Sequence, residues 1–205
     1  MITYFHQMDS YLTIEKTSFA EYKERGSKFI AYTYPIQNIS DFKKHLAELK
    51  KEHGKATHHC FAYRLGYDGN TFRVSDDGEP SGTAGKPILG QIDSKSLTNI
   101  LIVVVRYFGG TMLGVPGLIN AYKTAAVMAL QLTPIVTKQI ETVYTIRFDY
   151  TQINSVMQVI KVPNCTIIEQ TLQLFCEVKI SLAKSIENEV LQQLKENINL
   201  EVVKI

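Results

Sequence analysis

Residues 103–126, VVVRYFGGTMLGVPGLINAYKTAA, constrain this chain more than any other stretch. An apolar, β-branched run ends in Arg106, Tyr107 and Phe108. A loop carrying Gly109, Gly110 and Gly114 follows, and Gly117 lies just inside a helix-forming segment. A strand that passes through a glycine-rich turn into a helix start leaves backbone N–H groups unpaired and pointing outward, a geometry that binds anions. The expectation is recognition of a phosphate or a backbone acceptor, with Arg106 the side chain best placed to assist.

The chain changes character near Pro134. Eight of its twelve glycines fall between Gly78 and Gly117, none follows Gly117, and all five histidines precede residue 60. Residues 1–134 carry 15 Lys/Arg against 12 Asp/Glu, and residues 135–205 carry 7 against 8. Attraction for an anionic partner therefore belongs to the first part. The reading is two domains, 1–134 and 135–205, in an α+β chain.

The second part follows clear periods. Tyr144, Ile146 and Phe148 alternate as in a strand. Ile153, Val156, Met157 and Ile160 hold helical spacing. Residues 166–169 and 172–180 pair as strands, Ala183, Ile186, Val190 and Leu194 mark a second helix, and residues 200–205 a last strand. That order, βαββαβ, is ferredoxin-like.

In the first part, residues 12–22 and 27–36 read as two strands around the Arg25-Gly26 turn. A helix capped by Ser40 carries Phe42, His45, Leu46 and Leu49 and ends at Gly54. Residues 58–65 and 71–74 form a hairpin, a short helix lies near residues 84–92, and residues 100–108 form a buried strand. The helix over residues 116–132 has proline in its first turn, and Ala121, Ala125 and Ala129 give it a small-residue face for close packing.

Several function classes fall away. The longest aliphatic run, residues 100–105, is far too short to span a bilayer. The first ten residues have neither a basic start nor an apolar core and do not read as a signal peptide. Cys60, Cys165 and Cys176 are odd in number and widely spaced, as in a reducing cytoplasm. A Walker loop around Gly85-Lys86 is excluded because Pro80 and Pro87 occupy its glycine and hydroxyl positions. No cofactor fingerprint is present, and His58, His59 and Cys60 lack the second ligand pair that zinc requires.

Two constellations remain. Asp76, Asp77 and Glu79 crowd an acidic loop, either pairing with Arg73, Arg106 or Lys86 and accepting amides, or serving as base or metal ligands beside the glycine loop. Arg106, Lys86, Lys123 and Arg64, with Gly109, Gly110 and Gly114, form the candidate anion, nucleic-acid or partner surface. Aromatics beside basic residues (Tyr63-Arg64, Arg106-Tyr107-Phe108, Tyr122-Lys123) suit stacking on unpaired bases. No residue is assigned a catalytic or metal-binding role.

Four blocks, RGSKFIAYTYPI, THHCFAYRLG, DDGEPSGTAGKPIL and VVVRYFGGTMLGVPGLINAY, occur in this order and at these distances. Together they resemble the IMPACT/YigZ family over about residues 15–130. The resemblance implies a first domain similar to domain 2 of ribosomal protein S5. It also implies a second domain similar to domain V of elongation factor G. The family's eukaryotic member regulates translation. Where members often show T-G-G-L-x-R-A-Y, this chain has Pro116 for a glycine and Asn120 for the arginine, which removes one positive charge. The functional expectation is a non-enzymatic, cytoplasmic, translation-related protein binding RNA or a ribosome-associated partner. The alternative is a hydrolase or metal-dependent enzyme using Asp76, Asp77 and Glu79.

Overall fold

The computed structural model describes residues 9–197 and 200–205. The reading of the first eight residues lies outside them. The chain is α+β and divides into two compact units, Tyr11–Lys138 and a second built on Gln139–Ile205.

The first unit contains β1 (Ser10–Ile14), β2 (Ser18–Glu24), β3 (Ser27–Pro35), α1 (Ile39–Glu52), β4 (His58–Leu65), β5 (Thr71–Ser75), α2 (Gly85–Ser94), β6 (Ile100–Tyr107), α3 (Gly114–Gln131) and β7 (Ile135–Gln139). Its main sheet runs β2-β3-β6-β4-β5, antiparallel throughout. The apolar run of β6 makes it the central strand. Ile100, Ile102 and Val104 face the core shared with α2 and α3, while Leu101, Val103 and Val105 face the core beneath α1. A strand covered on both faces has no polar position to spare, which is why its sequence does not alternate.

Period two then sets the site. Arg106 follows Ile102 and Val104 on the α2/α3 face. Its register partners are His58 on β4 and Phe29 on β3. The small face of α3 lets the helix settle close on the sheet: Ala121, Ala125 and Ala129 are fully enclosed, and Tyr122 is buried among them.

Three local expectations change. Residues 12–22 are not one strand but β1 and β2, because β1 pairs with β7, an unforeseen strand, while β2 joins the main sheet. Asn38, not Ser40, caps α1: its Oδ1 accepts the Asp41 amide at 3.0 Å, and Asp41 Oδ2 accepts the Gln37 amide at 2.8 Å. The reciprocal pair satisfies two amides, where Ser40 would cap a helix two residues shorter. Helix α3 starts at Gly114, two residues before the expected start at Pro116, which still lies in its first turn.

The second unit holds β8 (Glu141–Asp149), a 3-10 turn (Tyr150–Gln152), α4 (Ile153–Ile160), β9 (Cys165–Thr171), β10 (Phe175–Ala183), α5 (Lys184–Asn197) and β11 (Glu201–Lys204). Strand order β11-β8-β10-β9, antiparallel at every pairing, is the ferredoxin-like arrangement. Val156 and Ile160 of α4 and Val190 and Leu194 of α5 share one core with the inward side of the sheet. The Tyr144 hydroxyl donates to Glu187 at 2.6 Å, tying β8 to α5 within that core.

Candidate polar-floored pocket

The structure brings the acidic loop and the glycine loop together around a cavity of about 380 Å³. His58, Glu79 and Arg106 line its polar end, and Phe108, Met112 and Val115 line its apolar side. Phe108, Met112 and Val115 are 50%, 84% and 51% exposed, so the apolar side opens to solvent.

Glu79 is the hub of the floor. Its Oε1 accepts from Arg106 Nη1 at 2.6 Å and from the Tyr122 hydroxyl at 2.7 Å. The Cys60 sulfur lies 3.0 Å from the Asp76 carbonyl and 3.3 Å from the Tyr122 oxygen, two acceptors within reach of its single S–H. Burial pushes both the Cys60 thiol and the Tyr122 phenol well up from their ordinary values, so both keep their protons. The guanidinium of Arg106 lies 5.3 Å from the Phe29 ring centre and 5.5 Å from that of Phe108. Arg106 is 5% exposed and its Nε has no hydrogen-bond partner among the described residues.

This geometry corrects the sequence expectation for Arg106. The residue is not a free clamp for an external anion, because its charge is matched by a carboxylate buried beside it. The first two amides after β6 are also in use. Phe108 N donates to Thr57 Oγ1 at 3.3 Å, and Gly109 N to Ser27 Oγ at 3.2 Å. Gly109 has another role: a Cβ there would lie 1.9 Å from the Gly26 carbonyl carbon. The glycine permits the β2–β3 turn to press against the end of β6. Gly110 and Gly114 take positive φ, 83° and 70°, and Gly114 lines the cavity.

The remaining acidic side chains build the loop. Asp76 Oδ1 accepts the amides of Ala84 and Gly85, and Oδ2 that of Gly82, so this distant carboxylate serves the start of α2. Burial pushes its carboxyl up, yet the three amides outweigh burial and hold it below its ordinary value. Asp77 Oδ2 accepts the His59 amide at 2.6 Å, and Oδ1 lies 3.7 Å from Lys50. Among the described residues, no group of three or more His, Cys, Asp or Glu side chains is arranged to hold a metal ion.

The other basic candidates do not converge here. Arg64 pairs with Asp93 at 2.7 Å. It lies six residues along β4 from His58, roughly 20 Å away at strand rise. Lys86 and Lys123 are exposed on α2 and α3 and do not line the cavity. Tyr63 and Tyr122 are core residues, leaving Phe108 as the exposed aromatic among those beside basic positions. Sequence reasoning set Tyr122 among the stacking aromatics and missed its buried place beneath Glu79, although Leu118, Ala121, Tyr122 and Ala125 follow the buried stripe of α3. It also missed the open side formed by Met112 and Val115, for which no period or motif gives a signal.

Residues 25–130, just over half the chain, match the Impact N-terminal domain. This chain belongs to the IMPACT family. An IMPACT family member of Haemophilus influenzae is 36% identical over 168 residues, covering 81% of this chain and 82% of its own length. The IMPACT family member YigZ of Escherichia coli is 34% identical over 160 residues, covering 77% and 78%. A crystal structure described as that of a hypothetical protein superposes at a TM-score of 0.75, with 30% identity over 97% of this chain and 98% of that one. The cavity lies wholly within the matched IMPACT segment. No helix among the described residues is long and apolar enough to cross a membrane.

Proposed function

We propose that this IMPACT family chain is a non-enzymatic, cytoplasmic, translation-related protein that binds single-stranded RNA at the open end of the β6–α3 loop. The observation that carries the reading is the pocket itself: exposed Phe108, Met112 and Val115 around a buried polar floor. Kinship with a family whose eukaryotic member regulates translation supports it. So does the excess of positive charge over residues 1–134. Exposed Lys86 and Lys123 are the candidates for phosphate contact, now that Arg106 is matched within the fold. Commitment of Asp76, Asp77 and Glu79 to structural contacts favours binding over the hydrolase alternative.

The test is co-sedimentation with ribosomes, together with single-stranded RNA binding across a salt series. Binding should weaken steeply with salt, and Lys86→Ala and Lys123→Ala should each lower affinity and flatten the salt slope by about one phosphate contact. Absence of RNA binding at low salt overturns the reading. Ribosome association without RNA affinity replaces it with docking on a ribosome-associated protein.

A further inference from the structure

We propose that the pocket takes one unpaired nucleobase bearing an exocyclic amino group, held between His58 and Glu79. The inference rests on the RNA-binding reading above and names what that site would recognise.

The polarity of the floor carries it. His58 Nδ1 lies 2.8 Å from the Asp77 carbonyl. A carbonyl only accepts, so Nδ1 carries the hydrogen, and in that tautomer Nε2 is an acceptor. That Nε2 faces Glu79 Oε1 across 3.8 Å, too far for a direct hydrogen bond. Glu79 is 8% exposed, and its contacts among the described residues all fall on Oε1. Two acceptors thus border the cavity with a gap that asks for a donor.

Other occupants fit less well. An anion would meet acceptors and a carboxylate. A cation would find no net charge, because Arg106 already neutralises Glu79. A purely apolar side chain would desolvate both acceptors without pairing them, which is costly. A planar group with an apolar face and an amino edge satisfies every surface. Its two N–H groups donate to His58 Nε2 and Glu79, and its face lies against Phe108, Met112 and Val115. The volume of about 380 Å³ is that of a small-ligand site. Adenine, cytosine and guanine carry such an amino group, and uracil does not.

The experiment titrates the full-length protein, labelled at its methionine methyls, with adenosine, cytidine, uridine and purine riboside, which is adenosine without its amino group. Met112→Leu assigns the Met112 signal. Adenosine and cytidine should move it. Uridine and purine riboside should bind about tenfold more weakly, reflecting acceptors left unpaired. Val115→Trp, at a half-exposed position on the rim, should abolish the shifts and weaken an adenine-containing RNA oligomer about tenfold while leaving thermal melting unchanged. Equal binding of uridine and cytidine overturns the amino-group assignment. RNA binding that is identical in wild type and Val115→Trp, with no nucleoside shifts, removes the pocket and leaves the RNA reading standing. Absence of both nucleoside shifts and RNA binding in the wild-type protein removes both readings. Movement of Met112 by indole and not by nucleosides overturns the nucleobase in favour of an aromatic protein side chain.

Discussion

Arg106 Nη1 and Glu79 Oε1 stand 2.6 Å apart with both side chains more than nine-tenths enclosed. They are 27 residues apart in the chain, and their pairing locks the acidic loop onto the central strand. Removing one partner of such a pair leaves an uncompensated buried charge, costing about 3–5 kcal/mol. Arg106→Leu and Glu79→Leu should each lower the unfolding free energy obtained from urea titration by an amount of that order. The double variant should recover a large part of the loss. Strict additivity in this cycle would show that the two charges do not support one another. Arg106→Ala is for the same reason a poor probe of ligand binding, since it strands Glu79.

The contrast between legible and hidden features follows from range. The double-sided burial of β6 is written in residues 100–105, and the ferredoxin-like unit is written in the periods of Tyr144–Phe148 and Ile153–Ile160. Both are local patterns. The fate of Arg106 depends on Glu79, Phe29 and Tyr122, which arrive from another loop, another strand and a helix. A positively charged residue beside glycines looks the same in sequence whether its partner is a ligand or a buried carboxylate. The break at residues 15–17 was hidden similarly, because the partner of β1 is β7, more than a hundred residues later.

Glycines divide by what surrounds them, and this gives substitutions of opposite sign. At Gly109 a methyl group would collide with the Gly26 backbone. Gly109→Ala should destabilise the first unit by about 1–3 kcal/mol through forced backbone displacement. Gly90 lies within α2, with nothing within 4 Å of an added Cβ. Gly90→Ala should stabilise by about 0.4–1 kcal/mol, chiefly by restricting the unfolded chain. Thermal melting of the two variants beside wild type checks both, and a neutral Gly109→Ala would contradict the close approach of the β2–β3 turn.

Acid should weaken the fold in two windows. Burial is the main cause holding His59 below its ordinary value of 6.5, and Asp77 opposes it. The unfolded chain therefore takes up this proton first, and stability declines as pH falls below about 6.5. Asp76 is held below 3.8 by the amides of Gly82, Gly85 and Ala84 against the effect of burial. Its contribution is complete above that value and is lost as pH falls through the lower folded value. Urea midpoints measured from pH 7 to pH 2 should show both declines. Asp76→Asn should flatten the lower one and leave the upper one in place. An unaltered lower limb would mean that another carboxylate controls it.

Phe108 separates binding from stability. Its ring is half exposed, and its main partner is the Arg106 guanidinium, which keeps Phe29 and Glu79 when the ring is removed. With the ring half exposed and the cation buried, the contact falls between the exposed value of about 0.5 kcal/mol and the desolvated value of about 2 kcal/mol, so Phe108→Ala should lower the melting temperature by a few degrees and leave the fold intact. Loss of a stacking surface costs about 1–3 kcal/mol per base, so affinity for single-stranded RNA should fall by at least about fivefold. Phe108→Trp restores a π-face and should restore binding, whereas Phe108→Leu restores apolar bulk alone. Recovery with leucine equal to that with tryptophan would show that the ring acts as a hydrophobic plug and that no base stacks on it.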